Sequence, residues 1–169
     1  MNKRVYCAIG IGHVELEKIV CGREGLEVVI GVDVGKFELR VVPRWSDGRF
    51  EKPWRVGNPE QIPQLIELLK RLGERRKLKA AMEPTGTYGD ALRQALADAG
   101  MELQLVSGKR AHDYAEVFDG VPSQHDGKDA AVVAERCALC KGSLWRWSPG
   151  DEKSQRIALM VDQMEAANQ

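Results

Sequence analysis

The stretch LEVVIGVDV, beginning at Leu26, is apolar and rich in β-branched residues, with one acid, Asp33, near its end. A run of that kind without alternation predicts a central strand buried on both faces. FELRVV (37–42) and RFEKPWRV (49–56) alternate in part and are separated by Ser46, Asp47 and Gly48, so they predict an antiparallel pair continuing from the first strand. Asn58 and Pro59 read as an N-cap and first-turn proline. Ile62, Leu65, Ile66, Leu69 and Leu72 then recur at helical spacing until Gly73. LKAAME predicts a short buried strand ending at Glu83. Ala91, Leu92, Ala95, Leu96 and Ala99 predict a second helix that stops at Gly100, and MELQLVS a fifth strand. Helical crossovers require the later strands to pair in parallel. The expected architecture is therefore α/β, a mixed five-stranded sheet flanked by helices with a meander at one side.

Beyond Gly120 the chain reads as irregular and then as helical from about Asp126. Asp126, Asp129, Val133, Cys137 and Cys140 are separated by steps of three and four, which places them on one helical face. LWRWSPG reads as a linker. From Asp151 an amphipathic helix carries Ile157, Met160, Val161 and Met164 on one side, a C-terminal arm with no later partner in the sequence. The chain thus divides into an unassigned N-terminal extension (1–27), a core domain (28–142), and a linker with the start of a helical arm (143–169). No apolar run is long enough to cross a membrane. The N-terminal stretch lacks the continuous apolar segment of a secretory signal, so a cytoplasmic protein is expected.

Lys and Arg together number 25, as do Asp and Glu, so the formal net charge is zero and a polyanion would have to be held by local patches. One such patch is KRLGERRKLK (70–79), with Arg75, Arg76 and Lys77 at its centre; Lys109, Arg110 and Lys128 are further candidates for phosphate contacts. Each can equally be a solvated surface cation. The four cysteines are too few and too irregularly spaced for a disulfide framework. With no second CxxC and no spaced His pair, Cys137 and Cys140 read as core packing and not as a zinc or redox site. Trp145 and Trp147, alternating around Arg146, read as cover for the domain's edge in preference to a base-stacking pair; His125, next to Asp126, reads as a solvated loop histidine in preference to one that orients a phosphate or water, and His13 as incidental.

Three elements deliver acid where acid is costly: Asp33 in an apolar strand, Glu83 at the end of another, and Asp126 with Asp129 on a helix. Carboxylates gathered in one cleft repel each other unless a cation lies between them. Hard oxygen donors without organised His or Cys select magnesium or manganese. Two such ions are the established means of cleaving a phosphodiester, which points to phosphoryl transfer on nucleic acid.

IGVDVGK at the first strand, EPTGTY after the glutamate and DGKDA at the acidic helix, in this order, resemble the DEDD transposases and Piv-type DNA invertases, whose catalytic domain is similar to RuvC resolvases. The resemblance covers about residues 28–169. It implies an RNase H-like fold, two magnesium or manganese ions, and Asp33, Glu83, Asp126 and Asp129 as the acidic tetrad; Thr85, Gly86 and Tyr88 fit the pattern after the glutamate. It also implies a recombinase of an insertion sequence that cleaves and transfers DNA strands. DNA is its partner, in some members with a guide RNA, and homo-oligomerisation would run through the C-terminal helix. This chain departs from the family by carrying Gln124 and His125 where a Lys-Thr pair is usual. The family also has a C-terminal domain bearing a nucleophilic serine, whereas this sequence ends in what reads as the connecting arm. Two other readings stand at this stage. One is a non-catalytic fragment that binds nucleic acid or dimerises. The other is a fragment of an actin-like ATPase, whose first phosphate loop also resembles IGVDVG.

Overall fold

The computed structural model describes residues 7–84, 86–107, 127–140 and 144–149, and the single positions 160, 163, 164 and 167. In chain order the elements are β1 (Ile9–Gly10), a 3-10 turn (Ile11–His13), α1 (Leu16–Val20), β2 (Val28–Val34), β3 (Glu38–Trp45), β4 (Trp54–Gly57), α2 (Ile62–Gly73), β5 (Leu78–Met82), α3 (Asp90–Asp98), β6 (Glu102–Val106), α4 (Lys128–Ala138) and β7 (Leu144–Arg146). The strands form one mixed sheet in the order β1-β4-β3-β2-β5-β6-β7. Its five central strands are those expected from the hydrophobic pattern, with β2, β3 and β4 antiparallel and β2, β5 and β6 parallel.

The sheet has seven strands and not five, because each edge gains a short strand that carries too few residues to show a period. β1 pairs in parallel with β4 and brings Ile11 and Leu16 into the core, so part of the stretch before β2 belongs to this sheet. LWRWSPG is not a plain linker: Leu144–Arg146 pairs antiparallel with β6, and Trp147 is 4% exposed against the main core while Trp145 remains open at the edge.

Alternation in β2 divides its side chains between two layers. Val28, Ile30 and Val32, with Ala80 and Met82 of β5, face α2 and α3, where Leu65, Leu69, Leu72, Leu92 and Leu96 are fully or almost fully buried. Each of those leucines contributes roughly 1.5–3 kcal/mol through removal from water. Val29, Gly31 and Ala81 face the other way, under α4, whose Val133, Ala134 and Cys137 close a second, smaller core.

Three local expectations are corrected. α2 starts at Ile62 after Gln61, whose side chain accepts a hydrogen bond from the Gly57 amide (2.7 Å), so Asn58 is not its N-cap. The fourth strand starts only at Trp54: Pro53 lacks an amide for the ladder, and the stretch before it shares no continuous ladder with β3, its backbone pairing being an isolated bridge between Arg44 and Phe50. α4 ends at Ala138, so Cys140 lies beyond it, exposed and with a positive φ of 51°, and only Cys137 packs in the core.

Candidate active site

Val32 of β2 is paired in parallel with Met82 of β5, so the chain continues from both strands at the same end of the sheet into Asp33 and Glu83. Neighbouring strands lie about 4.8 Å apart, which sets the two acids side by side. By alternation both belong to the face that carries Val29, Gly31 and Ala81, the face under α4. Asp129 lies in the first turn of α4, four and eight residues before Val133 and Cys137, which are buried against that same face. Three acids that are 50 and 46 residues apart in sequence are thereby brought to one rim of the sheet.

Electrostatics confirm the convergence of two of them. The Asp33 carboxyl is held above the ordinary carboxylate range, first because protein crowds one side of it, second because the Asp129 carboxylate faces it, with Arg40 pulling in the opposite direction. Arg40 is the residue paired with Asp33 across the β2–β3 ladder. Asp33 and Asp129 are nevertheless both exposed, and Glu83 is half-buried. The acids thus stand at the rim of the sheet, where the helical spacing of Asp129, Val133 and Cys137 directs them, and one-sided crowding with the Asp129 charge, not full burial, disfavours the ionised form of Asp33.

What places Asp129 there is the close seat of α4. A Cβ on Gly31 would lie 2.0 Å from the Ala130 carbonyl oxygen and 2.7 Å from the Ala134 Cβ. Only a residue without a side chain lets the helix backbone descend this far onto the sheet. Gly127, just before the helix, is similarly pressed on Pro53 and Val42. Farther along α4, Glu135 forms a buried ion pair with Arg44 of β3, and Arg136 donates to the Ser107 carbonyl (2.9 Å). The helix is thus fixed to β3 on one side and to the end of β6 on the other.

The loops that follow the two strand-borne acids are tied together. Asn58 is buried, and its Nδ2 donates to the carbonyls of Gly35 and Tyr88, both at 2.9 Å, while its amide donates to the Phe37 carbonyl at 2.9 Å. Arg93 Nη2 donates to Gly86 (3.0 Å) and fastens the turn after Glu83. Sequence reasoning missed these supports. Gly31 did carry a signal, since a glycine inside an apolar strand marks close approach of another backbone; Asn58 carried none beyond its resemblance to a cap.

Asp126, His125, Lys109 and Arg110 lie outside the described residues. Lys128 is half-buried and adjoins Asp129 at the start of α4. Arg75, Arg76 and Lys77 are at the opposite end of the sheet, before β5 begins, roughly 20 Å along the strand from Glu83. Arg76 donates to the carbonyls of Leu72 and Arg23 (both 3.0 Å) and stacks on Trp45, and Lys77 is 3.6 Å from Glu27. No cluster of three or more His, Cys, Asp or Glu in metal-binding geometry occurs among the described residues, which exclude Asp126.

Residues 30–167 match the sequence profile of the IS110-type DEDD transposases, described as transposases. No curated protein matches the chain. Among solved structures it is similar to RuvC of T. thermophilus, determined in complex with a Holliday junction substrate. The sequence identity is 14% and the TM-score 0.50, over 70% of this chain and 99% of RuvC. At that identity the likeness speaks for the fold, the RuvC-like variant of the RNase H fold that the three motifs imply.

Proposed function

The chain belongs to the DEDD transposase family, and from that premise we propose that it carries out metal-dependent DNA strand cleavage and transfer for an insertion sequence, with Asp33, Glu83, Asp126 and Asp129 as its acidic tetrad. The observation that carries this reading is the mutual approach of Asp33 and Asp129 at the rim where Glu83 also emerges. Two facing carboxylates whose repulsion Arg40 offsets only in part are an unbalanced arrangement, and hard oxygen donors of this kind fit magnesium or manganese. When bound, two such ions supply an activated water or hydroxyl and stabilise the leaving oxygen. The residues of the chain do the rest. Asp33 and Glu83 provide oxygen donors on the rigid ends of adjacent strands, and Asp129 closes from the helix. Arg40 offsets part of the repulsion that Asp33 feels from Asp129.

DNA is the proposed substrate, in keeping with the family and with the branched DNA bound by the RuvC neighbour. A guide RNA and self-association through the C-terminal helix are further parts of the proposal. Met160 and Met164, two of the residues expected on its apolar side, are 63% and 65% exposed. Lys128, beside Asp129, is the candidate phosphate contact best placed for the reaction. Arg75 and Lys77 would instead meet DNA away from the acids. The transposase profile displaces the ATPase reading. A binding fragment without turnover is separated from an enzyme by one experiment: calorimetric titration of magnesium and manganese into wild type, Asp33→Asn and Asp129→Asn, with cleavage of branched DNA in parallel. The proposal expects metal binding and cleavage in wild type and loss of both in either variant. Equal binding in all three proteins would refute it, and metal binding without cleavage would leave the fragment reading.

A further inference from the structure

Each strand that ends in an acid runs on into a loop with an exposed aromatic ring: Phe37 four residues after Asp33, and Tyr88 five after Glu83. Phe37 is 75% exposed, the most open large apolar side chain among the described residues, and Tyr88 is 51% exposed. Water should drive both rings inward, yet the structure holds them out. The two loops that carry them are tied to each other, since the buried Asn58 side chain donates to the carbonyls of Gly35 and Tyr88, and the Asn58 backbone N–H donates to the Phe37 carbonyl.

The surface around Phe37 is cationic. Lys36 Nζ lies 5.1 Å from the centre of its ring. Glu38 is approached by both Arg40 (2.5 Å) and Arg55 (3.5 Å), so two guanidinium groups share one carboxylate. Arg40 Nη1 is buried and makes no aligned hydrogen bond. Lys36, Arg40 and Arg55 are set against Glu38 and Asp33, the residue paired with Arg40, so the strip keeps one positive charge in excess, with Lys36 exposed and Arg55 half-exposed. Open aromatic rings beside surplus positive charge are what an unpaired nucleic-acid strand requires: π-faces for its bases and charge for its backbone.

We infer that Phe37 and Tyr88 are base-stacking residues that receive unpaired bases of a branched DNA at the acidic rim, with Lys36 and Arg55 meeting the adjoining phosphates. This rests on the reading of the rim as a DNA-cleaving site and adds the feature of the substrate it selects, a branch with unpaired bases. Fully paired duplex offers no free base face and would gain only the phosphate contacts.

The test compares wild type, Phe37→Ala, Tyr88→Ala and Phe37→Trp in calcium buffer. The probes are a DNA fork carrying 2-aminopurine at the first unpaired position, a duplex of equal length, and an RNA fork of the same sequence. Quenching of the probe by wild type is expected, with about tenfold weaker fork binding for each alanine variant. Duplex binding should change less than twofold, and Phe37→Trp should restore fork binding. Both rings are exposed, so the variants should melt with wild type. The inference is overturned by unchanged fork binding in the alanine variants, by parallel loss on fork and duplex, by no fork binding in wild type, or by a preference for the RNA fork that the same variants abolish. Cleavage that survives Asp33→Asn would instead remove the functional reading of the rim and leave the stacking result standing.

Discussion

Gly31→Ala tests the central claim that close seating of one helix assembles the acidic rim. The new Cβ would meet the Ala130 carbonyl oxygen at 2.0 Å, and ordinary contact begins near 3.4 Å, a deficit of 1.4 Å against backbone and not against a yielding side chain. Either β2 or α4 must shift by about that distance. Overpacking of this kind costs about 3 kcal/mol, which in a chain of this size lowers Tm by roughly 6–12 °C. The same displacement moves Asp129 away from Asp33, and a misplacement of about 1 Å can reduce a reaction by about 100-fold. Calorimetric melting and cleavage of branched DNA read the two effects separately. Ala134→Gly added to Gly31→Ala should recover little, because the closest clash is with the main chain at Ala130. A Gly31→Ala protein that melts within a degree of wild type and keeps its activity would refute the reasoning.

Other outcomes follow from the same geometry. Because Asp33 is held above its ordinary range, its ionised form is penalised in the folded state. Asp33→Asn should therefore raise Tm by about 1–4 °C at neutral pH without metal. That advantage should fade as pH falls through the carboxylate range and be gone below about 3, where the carboxyl is protonated folded and unfolded alike. Magnesium should reverse the order by stabilising wild type alone, and a variant less stable than wild type in chelator at pH 7 would contradict this. Glu135→Leu leaves the Arg44 guanidinium buried without its carboxylate and should cost about 3–5 kcal/mol, with much of the loss recovered in the Arg44→Leu, Glu135→Leu double variant; chemical denaturation of the four proteins of the cycle decides it. Burial pushes the Cys137 thiol up to about 11, whereas Cys7, Cys21 and Cys140 are exposed. Maleimide labelling of the native protein should spare Cys137 alone, and its modification at a rate equal to the others would show that α4 does not pack as described.

The hydrophobic pattern alone determined the five central strands, α2, α3 and the approximate position of α4, since period and length are local properties that survive without knowledge of the partner. Three short motifs likewise marked the family and singled out Asp33, Glu83 and Asp129, because acids at the ends of apolar runs are conspicuous against burial cost. Tertiary structure decided the rest. The strands β1 and β7 are too short to carry a period and exist only because an edge accepts them. Asn58 reads locally as a helix cap, yet the loops of Gly35 and Tyr88 capture its side chain across the fold. The pairing of Asp33 with Arg40 depends on strand register, which a one-residue slip would abolish. That Asp33 faces Asp129 at all depends on how deeply α4 sits over Gly31. The sequence names that glycine, but only the packed backbone shows what its missing side chain makes room for.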